Sequence, residues 1–334
     1  MATTPTLLER CLRERLARVQ ALLAASQANG VLLSDRALMY WLGNMRSPLL
    51  LVTHEGIAEL SPTQASAHLG TLGQAKVGFD RSLTASQLLF LQESAPHTRW
   101  IPFEKELANL RSVKDAVELV LLRQAARITR QVFERIEACL GEGGSETDLL
   151  HVANEARLAG GGQAFSFDPS IASGPRTGLL WADVSLRRIA PGEPVVVDLG
   201  VTFRGYLCDM TRSYLAGGAS ASTPPTWSAA VSAVEDALAQ VRAAARPGIR
   251  CGELHTLCEG VLEQAGFGKT MRHDLGHGIG LELHEFPTIA PGSPDVLAPG
   301  MVIALEPGIT LEAAGVRRED VFLVTEDGCE SLAS

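Results

Sequence analysis

A repeated unit in the second half of the chain is the feature that most restricts its fold. The segment GSETDLLHVANEARLAGGG begins at Gly144, and GIRCGELHTLCEGVLEQAG begins at Gly248. Each follows a helix-like pattern, at 113–140 and 227–245, and precedes β-rich sequence. The order helix, helix, strands thus occurs twice and predicts a domain of pseudo-twofold symmetry with a site between its halves. The segments share five aligned residues, of which the histidines are interpreted as helix residues without function: Leu150/Leu254, His151/His255, Glu155/Glu259, Leu158/Leu262 and Gly162/Gly266.

The first part of the chain alternates short β-like runs with helix-like patterns. Strands are predicted at 30–34, 48–53, 75–80 and 99–103, and helices at Leu7–Ser26 and Leu83–Glu93. This alternation is typical of a small α/β domain. A long amphipathic helix follows, for which Ser112 is the predicted N-cap with Asp115 three residues later. We therefore predict an α+β protein with an N-terminal domain at 1–108 and a second domain at 109–334.

Composition narrows the class of protein. The 334 residues carry a net charge of −9, without the Lys/Arg clusters of a nucleic-acid-binding surface. No window approaches the roughly 18 apolar residues that a membrane span needs. The six cysteines are scattered, with no CxxC pair, which is typical of a reducing compartment. These features predict a cytoplasmic protein that binds neither nucleic acid nor membrane.

Four carboxylates stand at the edges of apolar strand patterns. Asp198, in VVVDLG, is predicted at the end of an apolar strand, and Asp209 inside the strand of GYLCDMTRSYL. Glu306 follows VIAL, and Glu319 is predicted at the start of the last strand. His277 lies between glycines, which we expect to let the backbone approach a ligand closely. A buried carboxylate is costly unless it is paired or metal-bound. A shared site with one imidazole suits two divalent ions, Mn²⁺ ahead of Co²⁺ or Zn²⁺, and predicts hydrolase chemistry.

These motifs resemble the M24 "pita-bread" metallopeptidase family, which includes methionine aminopeptidase, aminopeptidase P, prolidase and creatinase. The resemblance spans 172–328, and the helix at 110–129 and the small first domain resemble the prolidase and aminopeptidase P branch. It implies a pseudo-twofold pita-bread catalytic domain behind a small N-terminal domain, and a homodimer. The matching segments are ASGP, VVVDLG, GYLCDMTRSY, HDLGHGIGLELHEFP, ALEPGI and GVRREDVFLVTEDG.

The resemblance also implies residue roles. Glu306 would be the general base, and His284 would support the tetrahedral intermediate. His273 matches a histidine that lines the proline pocket, and Arg317 matches an arginine beside the last ligand. The family's metal ligands fall on Asp198, Asp209, His277, Glu306 and Glu319.

One position departs from the family pattern. A further histidine, which contacts the scissile amide in the family, is expected between ASGP and Asp198, but the aligned residue is Trp181. Trp181 and Phe165 are candidate walls of an apolar slot for proline, or plain core residues. The departure leaves a peptide-binding protein without turnover as an alternative to an enzyme.

The implied substrate is a peptide with proline in its second position. A prolidase, which takes dipeptides, must recognise the proline carboxylate, and an arginine fork suits that task. Arg46, in MYWLGNMRSP of the first domain, is our candidate, acting from its own subunit or a neighbour. Prolidase is the preferred interpretation, and aminopeptidase P, which takes longer peptides, is the alternative.

Overall fold

The chain folds into two units that divide after Arg111, Met1–Arg111 and Ser112–Ser334. The structure is a computed structural model, and it describes residues 5–44, 46–71, 74–220, 223–312 and 314–333. The domain boundary predicted from the sequence, after residue 108, falls inside the last helix of the first unit. In the part of the chain that is described, no helix is both long and apolar enough to cross a bilayer.

The first unit is built on a mixed sheet with the strand order β3-β2-β1-β4-β5. Parallel pairing joins β1 to β4 and β4 to β5, whereas β1-β2 and β2-β3 are antiparallel. Strand β1 is apolar and buried throughout, and β2 is apolar and buried except for the half-buried Thr53 at its end. Strand β3 alternates between exposed and half-buried side chains because it lies at the edge. The elements are α1 (Leu7–Ser26), β1 (Gly30–Leu33), α2 (Arg36–Trp41), β2 (Leu49–Thr53), β3 (Ile57–Leu60), α3 (Pro62–Thr71), β4 (Lys76–Phe79), α4 (Ala85–Ser94), β5 (Arg99–Pro102) and α5 (Glu104–Ser112).

The second unit contains the helix pair twice, as the repeat predicted. Helix α6 packs on α7, and α8 packs on α9. The core beneath α8 and α9 includes Val234, Leu254 and Ile303, all fully buried. The helices are α6 (Ala116–Cys139), α7 (Glu146–Ala159), α8 (Trp227–Ala244) and α9 (Cys251–Gln264).

The predicted N-cap of α6 is wrong. Ser112 is the last residue of α5, and Asp115 caps α6 by accepting hydrogen bonds from the N–H groups of Val117 (2.9 Å) and Glu118 (3.0 Å). The Glu118 carboxylate in turn accepts a hydrogen bond from the Asp115 N–H, at 3.1 Å. The true capping box therefore starts three residues later than the sequence pattern indicated, because two overlapping boxes are possible there.

Antiparallel sheets follow each helix pair. One has the order β13-β10-β8, and the other has the order β15-β14-β16-β19-β20. Smaller sheets join β12-β11-β7, β17-β18 and β6-β9. The strands are β6 (Gly144–Ser145), β7 (Ala164–Phe165), β8 (Ser170–Ser173), β9 (Arg188–Ile189), β10 (Pro194–Leu199), β11 (Val201–Phe203), β12 (Tyr206–Leu207), β13 (Met210–Leu215), β14 (Gly276–Gly278), β15 (Glu285–Ile289), β16 (Val302–Leu305), β17 (Gly308–Thr310), β18 (Gly315–Arg317), β19 (Asp320–Val324) and β20 (Cys329–Ser331).

Candidate metal centre

Strand pairing brings the acidic residues of the second unit together. Asp198, in β10, pairs with Thr211 of β13, and Thr211 also forms a bridge with Glu319. Asp209 stands immediately before β13, so the expectation that it lies inside the strand is wrong by one residue. The two halves of the repeat thus meet where Thr211 contacts Glu319.

The second half contributes His277 and Glu306 through neighbouring strands. His277 is the middle residue of β14 and pairs with Ala304 of β16, and Glu306 follows the end of β16. A Cβ atom on Gly276 would lie 2.0 Å from the carbonyl oxygen of Ala304, so only glycine allows this close pairing beside His277.

Three of these side chains form a cluster of potential metal ligands. One ligand atom from each of Asp209, His277 and Glu319 lies within 4.8 Å of the others. The His277 Nε2 is 3.7 Å from Asp209 Oδ2 and 3.9 Å from Glu306 Oε1. Its Nδ1 is 3.0 Å from the carbonyl oxygen of Gly278, which can only accept, so Nδ1 carries the proton and Nε2 presents its lone pair to the carboxylates.

Buried oxygens without hydrogen-bond partners mark the same place. Among the described residues, Asp198 Oδ1, Asp209 Oδ1 and Glu319 Oε1 are buried and accept no hydrogen bond. Since an unpaired buried carboxylate oxygen is costly, such atoms fit a divalent cation, for which oxygen and imidazole are suitable ligands. The donor set therefore fits a metal site.

Burial also shifts the proton affinities of the cluster. Desolvation raises the pKa values of Asp198, Asp209 and Glu319, and neighbouring carboxylates raise the last two further. Burial raises the pKa of Glu306 to about 8, and it lowers the pKa of His277 to about 4. Without a cation, the cluster therefore holds protons on carboxylates while the imidazole stays neutral.

Arg317 orients the cluster from β18. Its Nη2 donates to Asp198 Oδ2 at 2.5 Å, and its Nε donates to Thr211 Oγ1 at 3.1 Å. The Thr211 hydroxyl in turn donates to Glu319 Oε2 at 2.8 Å. Asp198 and Glu319 are thus each held through one oxygen, and the other oxygen is left free to bind a cation. This role of Thr211 was not predicted from the sequence. Its position between Asp209 and Arg212 in DMTRSY is the feature that could have indicated it.

His273 and His284 each lie close to one of these ligands. The His273 Nδ1 is 3.5 Å from Glu306 Oε2 and 2.8 Å from the carbonyl oxygen of Asp274, and burial lowers the pKa of His273 to about 4. His284 is exposed, and its ring lies edge-on to that of His277 with a centroid distance of 4.2 Å. The structure therefore brings both histidines to the cluster.

A small cavity of about 20 Å³ adjoins His273 and Arg317. Trp181 and Phe165, the predicted walls of an apolar slot, do not line this cavity. Its apolar walls come from residues that were not predicted from the sequence. These walls include Ala172, Leu179, Leu180, Val196, Ile309 and Val316.

Of the remaining predicted site residues, Trp181 contacts the cluster through Arg317, whereas Phe165 and Arg46 have other contacts. Trp181 is 62% exposed, and its ring lies over the Arg317 guanidinium at 5.6 Å, a cation–π contact. Phe165, half-buried in β7, lies under the guanidinium of Arg157 at 5.2 Å. Arg46 is exposed in the first unit, where its backbone N–H donates to Asn44 Oδ1 at 3.0 Å.

Known proteins resemble the chain in both sequence and fold. Residues 120–326 match metallopeptidase family M24. A Xaa-Pro dipeptidase of Pyrococcus horikoshii is 30% identical over 262 residues, which cover 78% of this chain and 73% of the relative. The solved structure of a Xaa-Pro dipeptidase from Bacillus anthracis superposes with a TM-score of 0.89 at 27% identity, over 97% of this chain and 98% of that one.

A third similarity supports the same assignment. The crystal structure of the prolidase from Pyrococcus horikoshii OT3 matches with a TM-score of 0.86 at 26% identity, over 96% of this chain and 98% of the other. These structural neighbours confirm the predicted pita-bread fold class. With the buried acids around His277 and a family match over most of the second unit, the chain belongs to metallopeptidase family M24.

Proposed function

We propose that this chain is a dinuclear metal-dependent prolidase that hydrolyses Xaa-Pro dipeptides. The observation that carries the proposal is the set of buried, unpartnered oxygens of Asp198, Asp209 and Glu319 around the Nε2 of His277. The Xaa-Pro dipeptidases among the relatives supply the substrate class.

The metal ions would be held by Asp198, Asp209, His277, Glu306 and Glu319. Oxygen-rich donors with one imidazole favour Mn²⁺, ahead of Co²⁺ or Zn²⁺. When bound, a pair of divalent ions acidifies water and polarises the scissile carbonyl. The two carboxylates that Arg317 and Thr211 hold would keep their free oxygens pointed at the ions.

Glu306 would act as the general base. In the metal-free protein burial raises its pKa to about 8, and bound cations would keep it as the carboxylate, which can accept a proton. His273, whose Nδ1 is 3.5 Å from Glu306 Oε2, would line the proline site together with Ile309 and Val316. A proline peptide bond has no N–H to donate, and an apolar slot beside a general base does not require one.

His284 would stabilise the negative charge that develops on the carbonyl oxygen. Its exposed ring, beside that of His277, is positioned where a substrate can reach it. For the substrate carboxylate we propose Arg46, whose exposed guanidinium could pair with it bidentately. Arg317, Trp181 and Phe165 remain proposed substrate contacts.

The setting of the enzyme is part of the same proposal. We propose a cytoplasmic homodimer, as the resemblance to the prolidase branch implies. Each of the six cysteines is a free thiol, which supports a reducing compartment: Cys11, Cys139, Cys208, Cys251, Cys258 and Cys329.

Two alternatives follow from particular residues. An aminopeptidase P would accept peptides that continue beyond proline, and it would not need Arg46 to bind a carboxylate. A peptide-binding protein without turnover is favoured by Trp181, because an indole cannot accept a proton as the expected histidine can.

Turnover by the metal-stripped protein with Mn²⁺ added back tests these functions. The substrates are the dipeptide Ala-Pro and the tripeptide Ala-Pro-Ala, and Asp209→Asn is the matched metal-site control. Cleavage of Ala-Pro alone supports a prolidase, and preference for Ala-Pro-Ala supports aminopeptidase P. Binding of Mn²⁺ without cleavage of either peptide would refute the peptidase and leave the binding protein.

A further inference from the structure

His284 is carried by a turn between β14 and β15 that a buried carboxylate closes. The turn covers 279–284, and β15 begins at Glu285. Its backbone is tied down twice, because the Gly280 N–H donates to the Glu282 carbonyl oxygen at 3.2 Å and the Gly280 carbonyl oxygen accepts from the Leu207 N–H at 2.8 Å. The position of His284 therefore depends on what holds this turn.

The carboxylate of Glu285 caps the turn from inside. Its Oε1 accepts hydrogen bonds from the N–H groups of Leu281 at 2.9 Å and Glu282 at 3.1 Å. A Cβ atom on Gly280 would lie 2.6 Å from Glu285 Oε2, so the carboxylate packs directly against the glycine backbone. The side chain thus fixes three successive residues of the turn.

Lys114, two residues before α6 begins, holds that carboxylate. Its Nζ donates to Glu285 Oε2 at 2.7 Å, and the two side chains are only 1% and 5% exposed. The Lys114 N–H donates to the Gly300 carbonyl oxygen at 2.8 Å, and the preceding Val113 forms a bridge with Met301. The ammonium group is therefore anchored at both its backbone and its charged end, one residue before the Asp115 cap.

Stability alone is a weak reason for this ion pair. Desolvation of two buried charges offsets much of their attraction, and apolar residues of similar size often replace such a pair without loss of stability. What apolar side chains could not replace are the two hydrogen bonds from the Leu281 and Glu282 N–H groups to the carboxylate.

We propose that Lys114 and Glu285 are positioning residues for His284. The lysine fixes the carboxylate, the carboxylate fixes the turn, and the turn sets the His284 ring 4.2 Å from that of His277. The catalytic consequence rests on the proposed function, in which His284 supports the reaction. The geometric part concerns the turn alone and can be tested without turnover.

The decisive variant replaces both charges, Lys114→Met with Glu285→Leu. The two charges are removed together, so neither is left facing an apolar side chain, and we expect the thermal midpoint to fall less than in either single variant. We expect amide exchange at Leu281 and Glu282 to accelerate at least about tenfold, because their acceptor is gone. We also expect kcat to fall about ten- to a hundredfold with little change in KM or Mn²⁺ affinity, as for other residues that orient a catalytic group.

The matched control removes an exposed ion pair, one partner of which lies in α6. Arg123→Met with Glu330→Leu breaks a pair whose side chains are 43% and 49% exposed. Exchange in the turn, kcat and Mn²⁺ affinity should stay at wild-type values. A buried-pair variant that behaves like this control would show that Lys114 and Glu285 serve only the fold, and would overturn the proposal.

A double-mutant cycle with His284→Ala tests the route of the effect. If the pair acts through His284, its replacement in the His284→Ala background should cause no further loss of kcat. Full additivity of the two losses would overturn the proposal.

Further readouts keep the test decisive. Should the double replacement fail to fold, Glu285→Gln keeps the volume but has one acceptor oxygen in place of two, so it cannot accept from both Lys114 Nζ and the turn N–H groups. Unchanged turn exchange and kcat in that variant would also overturn the proposal. If the wild type cleaves no Xaa-Pro peptide, the proposed function fails, while amide exchange at 281 and 282 still decides the geometric part.

Discussion

Removal of the metal should make the stability of this protein fall as the pH rises. In the metal-free protein, burial raises the pKa of Glu306 from 4.5 to about 8. Between these values the folded state holds a proton that the unfolded state has released. Because the unfolded state then binds fewer protons, the free energy of unfolding decreases with rising pH across this window.

The magnitude follows from the pKa of Glu306. From about pH 6.5 to about pH 8, its titration removes about 1 to 2 kcal/mol of the free energy of unfolding. Burial lowers the pKa values of His273 and His277 from 6.5 to about 4, so their effect has the opposite sign and is lost as the pH falls below 6.5. Near neutral pH the histidines contribute a few tenths of a kcal/mol each, and less above it.

Urea unfolding of chelator-treated protein at the two pH values measures the effect. Glu306→Gln keeps both histidines, but its side chain cannot titrate, so its stability should fall by about 1 to 2 kcal/mol less than that of the wild type over the same interval. Glu134→Gln, on the exposed face of α6, is the control and should match the wild type. Saturating Mn²⁺ should reverse the slope, because the ligands must lose protons to bind it. An equal loss in the wild type and Glu306→Gln would refute the assignment of the proton to this carboxyl group.

The remaining predictions concern single side chains of the site. Asp209→Asn should weaken Mn²⁺ binding at least about tenfold by calorimetry. The metal-free variant should be more stable than the wild type near neutral pH, because an amide can be buried without first taking up a proton; a less stable variant would contradict this. Trp181→His should raise kcat on Ala-Pro if the missing imidazole limits the rate. Trp181→Phe, which retains a ring over Arg317, should leave kcat unchanged. Equal rates in the wild type and both variants would show that position 181 does not limit turnover. Arg46→Ala should raise KM for Ala-Pro about tenfold or more with little effect on Ala-Pro-Ala, and an equal effect on both would remove Arg46 from carboxylate recognition.

The sequence predicted most reliably what local patterns determine. Helix α1 was predicted with its observed bounds, since Thr6 and Glu9 form a capping box and the following periodicity is unbroken. The duplicated helix pair was found because a repeat needs no knowledge of tertiary contacts. By contrast, α2 covers only Arg36–Trp41, too few residues for a periodic signal, and β3 at the sheet edge alternates too weakly to be recognised.

In the candidate site, too, local sequence patterns were predictable and contacts between distant residues were not. The acids at 198, 209, 306 and 319 could be singled out because a carboxylate beside an apolar strand violates the usual pattern. The contacts that orient them could not, because they join residues far apart in the sequence. Thr211 and Glu319 are separated by 108 positions, and Lys114 and Glu285 by 171. Likewise, Ile309 and Val316 line the cavity beside His273 through pairing of β17 with β18, and nothing in their local sequence distinguishes them from other core residues.

The charges around His277 explain why metal, protons and fold depend on one another. Asp198, Asp209, Glu306 and Glu319 can carry four negative charges, whereas Arg317 supplies a single positive charge to them and His277 is neutral. Such an excess of buried negative charge is not sustained in a medium of low dielectric constant. It must be neutralised by protons, which the raised carboxyl pKa values allow, or by cations. Protons and divalent ions therefore compete for the same oxygens, and metal affinity should rise steeply with pH over the range in which Glu306 titrates.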